Sequence, residues 1–325
     1  MSAISMAAPA PGPTTPTFAA DPERQTEPGP DVEAASAPPR PSARPRGRAW
    51  IELRAAARLD AAEVLRSRWV WFCLAVYTVL AVALMTVGVR ESAILGFTGT
   101  SRVLLSFAHA LVLVLPLIAL IALAPAVQRA RDDGSLELLF SQPLSPGRWL
   151  LAVAVVRYLA LVLPLALVMV AVGLWGQLGH GDPVPWIFIG RALAVAAALL
   201  LAFAGIGTAI SVFVRNPARV ITYVILVWAL GVALLDFGLI GAMLRWRLDP
   251  HAVFTLAAIN PVEAARLALL SELQPDLGTF GPVGFYLANR VGGQALFVLG
   301  VAWPAAVGLG AFGLAYLGFR RADRI

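Results

Sequence analysis

Residues 103–127 read VLLSFAHALVLVLPLIALIALAPAV, twenty-five positions without one Asp, Glu, Lys or Arg. A helix rises about 1.5 Å per residue, so roughly 20 apolar residues cross a hydrocarbon core about 30 Å thick. The run is longer than an ordinary strand and has no charged stripe, which predicts a transmembrane helix rather than a half-wetted one. Pro116 fits that reading, because neighbouring helices can satisfy the carbonyl it frees.

Five further stretches have the length and composition to span: 70–88, 149–175, 186–214, 220–244 and 295–319. Trp69, Trp71, Trp149, Trp175, Trp186 and Trp246 stand at or near their ends, where an interfacial aromatic belt places them. The whole chain agrees: 59% of its 325 residues are hydrophobic and 14% charged, against about 45–50% and 25% in soluble domains. A soluble fold of this size could not hide so much apolar surface. The chain reads as an all-α integral membrane protein with six transmembrane helices.

All 25 basic side chains are Arg. Without Lys there is no GxxxxGK[ST] phosphate loop and no Schiff-base or Ser-Lys catalyst. The net charge of +6 does not point to nucleic acid, because the Arg residues flank apolar spans and read as topology signals and contacts to lipid headgroups. Cys73 is the sole cysteine, so no intrachain disulfide, CxxC pair or Cys-rich metal site exists. His109, His180 and His251 are far apart and form no metal-ligand spacing, so no metal site is expected.

Upstream, residues 1–48 are rich in Pro, Ala, Ser and Thr and reach no spanning length, which predicts a disordered tail without the apolar core of a signal peptide. Residues 49–68 differ. Ile51, Ala55, Leu59, Ala62, Leu65 and Trp69 recur at helical spacing, with Glu52, Arg54, Arg58, Asp60, Glu63, Arg66 and Arg68 over the rest. This predicts an amphipathic helix in the headgroup plane, leading into the transmembrane domain of residues 69–325. The segments 49–68, 128–148, 214–219 and 320–325 carry twelve Arg, against six in the opposite, longer loops. Both termini are therefore expected in the cytoplasm, with 245–293 outside.

Between spans two and three the chain reads QRARDDGSLELLFSQPLSPGRWLL, residues 128–151. Asp132 and Asp133 precede a Gly-Ser step, then Leu136, Leu138, Leu139 and Phe140 predict a short helix with an apolar stripe, ended by Pro143 and Pro146. A connection between spans needs no such helix, so it reads as a docking element for a soluble partner. This segment resembles the coupling-helix region of type-2 exporter-class ABC transporter permeases, through Arg131, Asp132, Asp133, Gly134, Ser135, Leu136, Glu137, Leu138 and Leu139, then Gln142, Pro143, Leu144 and Ser145. Ala130 departs from a common Glu, and Ala152-Val153 from a common Gly-Lys.

The resemblance implies a transport subunit, not an enzyme, in the bacterial inner membrane. It implies a homodimer with two copies of a cytoplasmic ABC ATPase, which would hold the ATP and Mg, so this chain itself is expected to carry no cofactor. Arg131, Asp132, Asp133, Gly134, Glu137, Leu138, Leu139, Gln142 and Pro143 would then couple to the ATPase.

The outer loop carries INPVEAARLALLSEL, residues 259–273. Asn260 is placed to cap a helix, Pro261 to occupy its first position, and Glu263 to sit near its positive end. Val262, Ala265, Leu269 and Leu273 form one face, and FGPVGFYL, residues 280–287, adds a second apolar element of an outer cap. Asn260-Pro261-Val262-Glu263, Arg266-Leu267 and Gly281-Pro282-Val283-Gly284 resemble the permeases of transporters that serve nitrous oxide reductase maturation, the NosY kind. That narrower resemblance implies a periplasmic partner near Asn260, Pro261, Glu263 and Arg266, and a role in assembling a copper–sulfur centre.

Asp236 is the one carboxylate well inside a span. A charge near a helix centre costs ~2.5–3.5 kcal/mol on insertion scales, so Asp236 should face the bundle interior, lining a path or pairing with Arg245 or Arg191. Arg157 is expected to snorkel to the cytoplasmic surface. An intramembrane enzyme would need paired catalytic groups at one depth, which the sequence does not supply. The alternatives are a permease for a lipid, drug or polysaccharide, and a membrane anchor without transport.

Overall fold

The computed structural model describes residues 46–95, 100–140, 145–180, 183–234, 255, 258–273 and 292–322. Helix α1 (Arg46–Arg66) begins three residues before the expected boundary, and α2 (Trp69–Leu95) and α3 (Thr100–Leu123) follow. The short α4 (Ala126–Asp132) and α5 (Ser135–Phe140) lead into α6 (Pro146–His180), 35 residues long. Next come α7 (Trp186–Phe213) and α8 (Pro217–Trp228), the latter continued by a π-helical segment, Ala229–Leu234. The order ends with α9 (Pro261–Leu273) and α10 (Gly293–Ala322).

Among the described residues five helices are long and apolar enough to cross a membrane: α2, α3 with α4, α6, α7 and α10. The sixth expected span, 220–244, is described only through its first part, a shorter apolar helix over Pro217–Val232. Helices α3 and α7 form the buried centre, while α2, α6 and α10 keep most of their surface outward. Tyr77, Phe107, Leu115, Leu165, Met169 and Phe203 are fully enclosed there.

In lipid the apolar tails compete equally for apolar side chains, so close backbone approach must hold helices together. That is how α7 meets α10. A Cβ on Gly205 would overlap the carbonyl of Gly308, and one on Gly308 would overlap that of Leu201. Helix α9 packs against α10, α3 and α7, with Ala264, Ala265, Ala268 and Leu269 buried. A Cβ on Gly300 of α10 would overlap Ala268. Helix α9, expected in a cap folded back onto the bundle, packs into the bundle.

Trp149 departs from the expected aromatic belt. It is 8% exposed and stacks on Phe319 at the end of α10, with centroids 5.9 Å apart. The start of α6 is itself inside the bundle: a Cβ on Gly147 would meet the Tyr316 ring at 2.5 Å.

Candidate functional site

The Arg-rich end of the bundle gathers the residues singled out in the sequence. Pro125 has no N–H and ends α3, and the chain restarts as α4 one residue later. The Val127 N–H finds Ser211 Oγ on α7 at 2.8 Å, and Gln128 Nε2 donates to the Val214 carbonyl. Both bonds pin α4 to the end of α7. Ser211 and Gln128 are buried polar groups in apolar surroundings, and the sequence reading passed over them.

Asp133 closes α4, and Gly134, at φ +66°, supplies the left-handed turn that starts α5. Asp132 and Asp133 therefore end α4 and precede α5. Ser135 Oγ donates to the Ala130 carbonyl at 3.0 Å and ties the two short helices together. Helix α5 has six residues, and two of its leucines, Leu136 and Leu138, differ sharply in burial. Leu136 is buried beside Val127, Trp149 and Leu150, whereas Leu138 is 71% exposed. Residues two apart on a helix point about 200° apart, so one Leu anchors and the other is presented.

Asp132, Asp133 and Glu137 are exposed, as Leu138 is, and Arg131 is half-buried. Leu139 lies on α5; Gln142 and Pro143 lie outside the described residues.

Helix α1 lies along α6. Ile51, Ala55, Leu59, Ala62 and Leu65, the predicted apolar stripe, are all exposed. The inward face is Ala56, Asp60 and Val64, spaced four apart and buried, with Glu52 one turn earlier. The mixed face of α1 thus meets protein and its apolar stripe is left outward.

Two ion pairs fasten it. Arg148 Nη1 lies 2.5 Å from Glu52 Oε2, and Arg157 Nη2 lies 3.3 Å from Asp60 Oδ1, with Glu63 at 3.9 Å. Arg157 also reaches the Ala122 carbonyl at 3.4 Å. Its side chain is 13% exposed, so it is held between helices rather than snorkelling out. Burial pushes the Asp60 carboxyl above its ordinary value of 3.8, and the facing Arg157 offsets this only in part. The clue was in the sequence: Asp60 sits opposite the apolar stripe, in line with two small apolar residues.

At the other end, Asn260 Oδ1 accepts the Val262 N–H at 3.0 Å, the cap expected before Pro261. Glu263 and Arg266 pair at 2.7 Å, at side-chain exposures of 12% and 24%. Arg191, a proposed partner of Asp236, lies 2.6 Å from Gln294 Oε1 and over the Phe297 ring. Asp236 lies outside the described residues. No cluster of three His, Cys, Asp or Glu able to hold a metal ion occurs among the described residues.

Five apolar helices long enough to cross a membrane, with a leading helix along α6 and two short helices between α3 and α6, define a helical membrane protein. The profile of the ABC-2 family transporter proteins matches residues 54–324, and the chain belongs to that family. It is similar to two proteins named "Probable ABC transporter permease protein NosY". The one from Stutzerimonas stutzeri is 27% identical over 271 residues, covering 82% of this chain and 96% of that protein. The one from Pseudomonas aeruginosa is 26% identical over 282 residues, with the same shares.

Proposed function

We propose that this ABC-2 permease is the membrane subunit of an ATP-driven transporter that serves assembly of the copper–sulfur centre of nitrous oxide reductase. The reading places it in the bacterial inner membrane, with α1, α4 and α5 on the cytoplasmic side and α9 toward the periplasm. It acts as a homodimer with two copies of a separate ATPase, which holds the ATP and Mg. A periplasmic protein meets the surface around Asn260, Pro261, Glu263 and Arg266.

The observation that carries the ATPase part is α5. Leu136 locks this short helix to the bundle while Leu138 and Glu137 are exposed on it, and Asp132 and Asp133 are exposed at the end of α4 just before it. An exposed apolar side chain in a stretch that also exposes three acidic groups suits a groove with a basic rim. Support for the reductase part comes from the NosY name of both relatives together with the motifs at 260–267 and 281–284.

The test is deletion of this chain in a host that makes nitrous oxide reductase. The reductase should then accumulate without the absorption of its copper–sulfur centre, and the intact chain should restore it. Normal assembly in the deletion strain would transfer the permease to another substrate.

A further inference from the structure

Between α1, α4 and the start of α6 lies a cleft of about 260 Å³. A single water needs only about 10–15 Å³, so one bridging water does not fill it. Asp60 is 6% exposed, and among the described residues its Oδ2 has no donor and Arg157 Nε no acceptor. Unmade hydrogen bonds on buried charged groups are costly, so the cleft asks for a ligand with both a donor and an acceptor. Leu59 lines the cleft and is also 65% exposed on the lipid-facing stripe of α1. The mouth is therefore continuous with the surface that meets the bilayer.

We propose that this cleft binds the head group of a zwitterionic phospholipid with a primary ammonium, the ammonium on Asp60 and the phosphate on Arg157. An ammonium N–H supplies the donor that Asp60 Oδ2 lacks, and a quaternary ammonium cannot. A phosphate oxygen supplies the acceptor for Arg157 Nε, with Arg129 also lining the cleft. Glu63 and Asp133 add negative charge to the lining, which disfavours a purely anionic head group. The acyl chains leave along Leu59. Such a lipid bridges α1 to α4, and so ties the interfacial helix to the helix that leads into α5. The proposal is independent of the transported species.

The experiment measures thermal unfolding of the full-length permease in detergent with added phosphatidylethanolamine, phosphatidylcholine or phosphatidylglycerol. A bound ligand stabilises by mass action. Phosphatidylethanolamine should raise the midpoint by several degrees, and the other two by less than half as much. Ala130→Leu fills the cleft without touching the ion pair, and Asp60→Asn removes the carboxylate at nearly constant shape. Each variant, compared with its own lipid-free midpoint, should lose most of the phosphatidylethanolamine increment. Equal shifts from the three lipids, or a full increment in either variant, overturn the assignment. Soluble glycerophosphoethanolamine distinguishes the sources: a full shift from it overturns the lipid and leaves a free phosphate ester as occupant.

Discussion

The Asn260 side-chain amide donates to the Gly231 carbonyl at 2.7 Å while its oxygen caps α9. Gly231 sits in the π-helical segment Ala229–Leu234, where the altered hydrogen-bond register frees carbonyls that a regular helix would use. One buried side chain therefore serves two helices: it starts α9 and closes the irregular stretch after α8.

The two halves of that bond can be separated. Asn260→Asp keeps the capping oxygen but lacks the amide donor, whereas Asn260→Ala loses both. Loss of an N-cap costs about 0.5–2 kcal/mol. Hydrogen exchange should show faster exchange across 261–273 only in the Ala variant, and faster exchange near 229–234 in both. Unchanged protection of α9 in Asn260→Ala would remove the cap from the account.

The crossing of α7 and α10 predicts a sharp positional contrast on one helix. Gly308→Ala drives a methyl group into the Leu201 carbonyl, whereas Gly310 has open space around its Cβ position. Overpacking of this kind costs typically about 1–3 kcal/mol. Gly308→Ala should lower the thermal midpoint measurably, and Gly310→Ala should leave it near wild type.

Asp60 gives the chain a defined pH response. Burial raises its carboxyl above 3.8, so the folded chain holds that proton more tightly than the unfolded chain. This contribution to stability is full below 3.8 and is lost as pH rises through the raised value. Asn imitates the protonated form and removes the dependence. As pH rises from 3.8 through the raised value, wild type should lose stability relative to Asp60→Asn. Unfolding midpoints of both proteins across that range decide it; a constant gap would mean that Asp60 titrates as it does in water.

The membrane class was legible because an apolar run such as 103–127 has no other stable home. The cap at Asn260 was legible because Asn-Pro before an apolar helix is a local signal. The Asp60–Arg157 pair was not, because its members are 97 positions apart and each has a plausible local alternative. Interfacial Asp on a polar face and snorkelling Arg are both ordinary. Their meeting depends on which side of α1 faces α6, and that is a tertiary choice. The same applies to Leu136 and Leu138: the sequence marks both as apolar, and only the docking of α5 decides which is buried.

That division yields the most direct test of the α5 reading. Leu136→Asp places a charge among Val127, Trp149 and Leu150, where burial of an unpaired carboxylate costs several kcal/mol, and it should impair folding itself. Leu138→Asp places the same charge on a side chain that is 71% exposed, so the permease should insert and unfold as wild type does. If Leu138 is the anchor that an ATPase groove covers, its substitution instead weakens docking, by the two or more kcal/mol expected of a central apolar contact. Asp133→Ala, on the exposed rim, should change docking by about 1 kcal/mol or less. The measurement is ATPase retained on affinity-tagged permease at equal expression, with the thermal midpoint of each permease taken alongside. Full retention by Leu138→Asp would show that α5 is not where the ATPase binds. A loss confined to Leu136→Asp would mean only that the fold had failed.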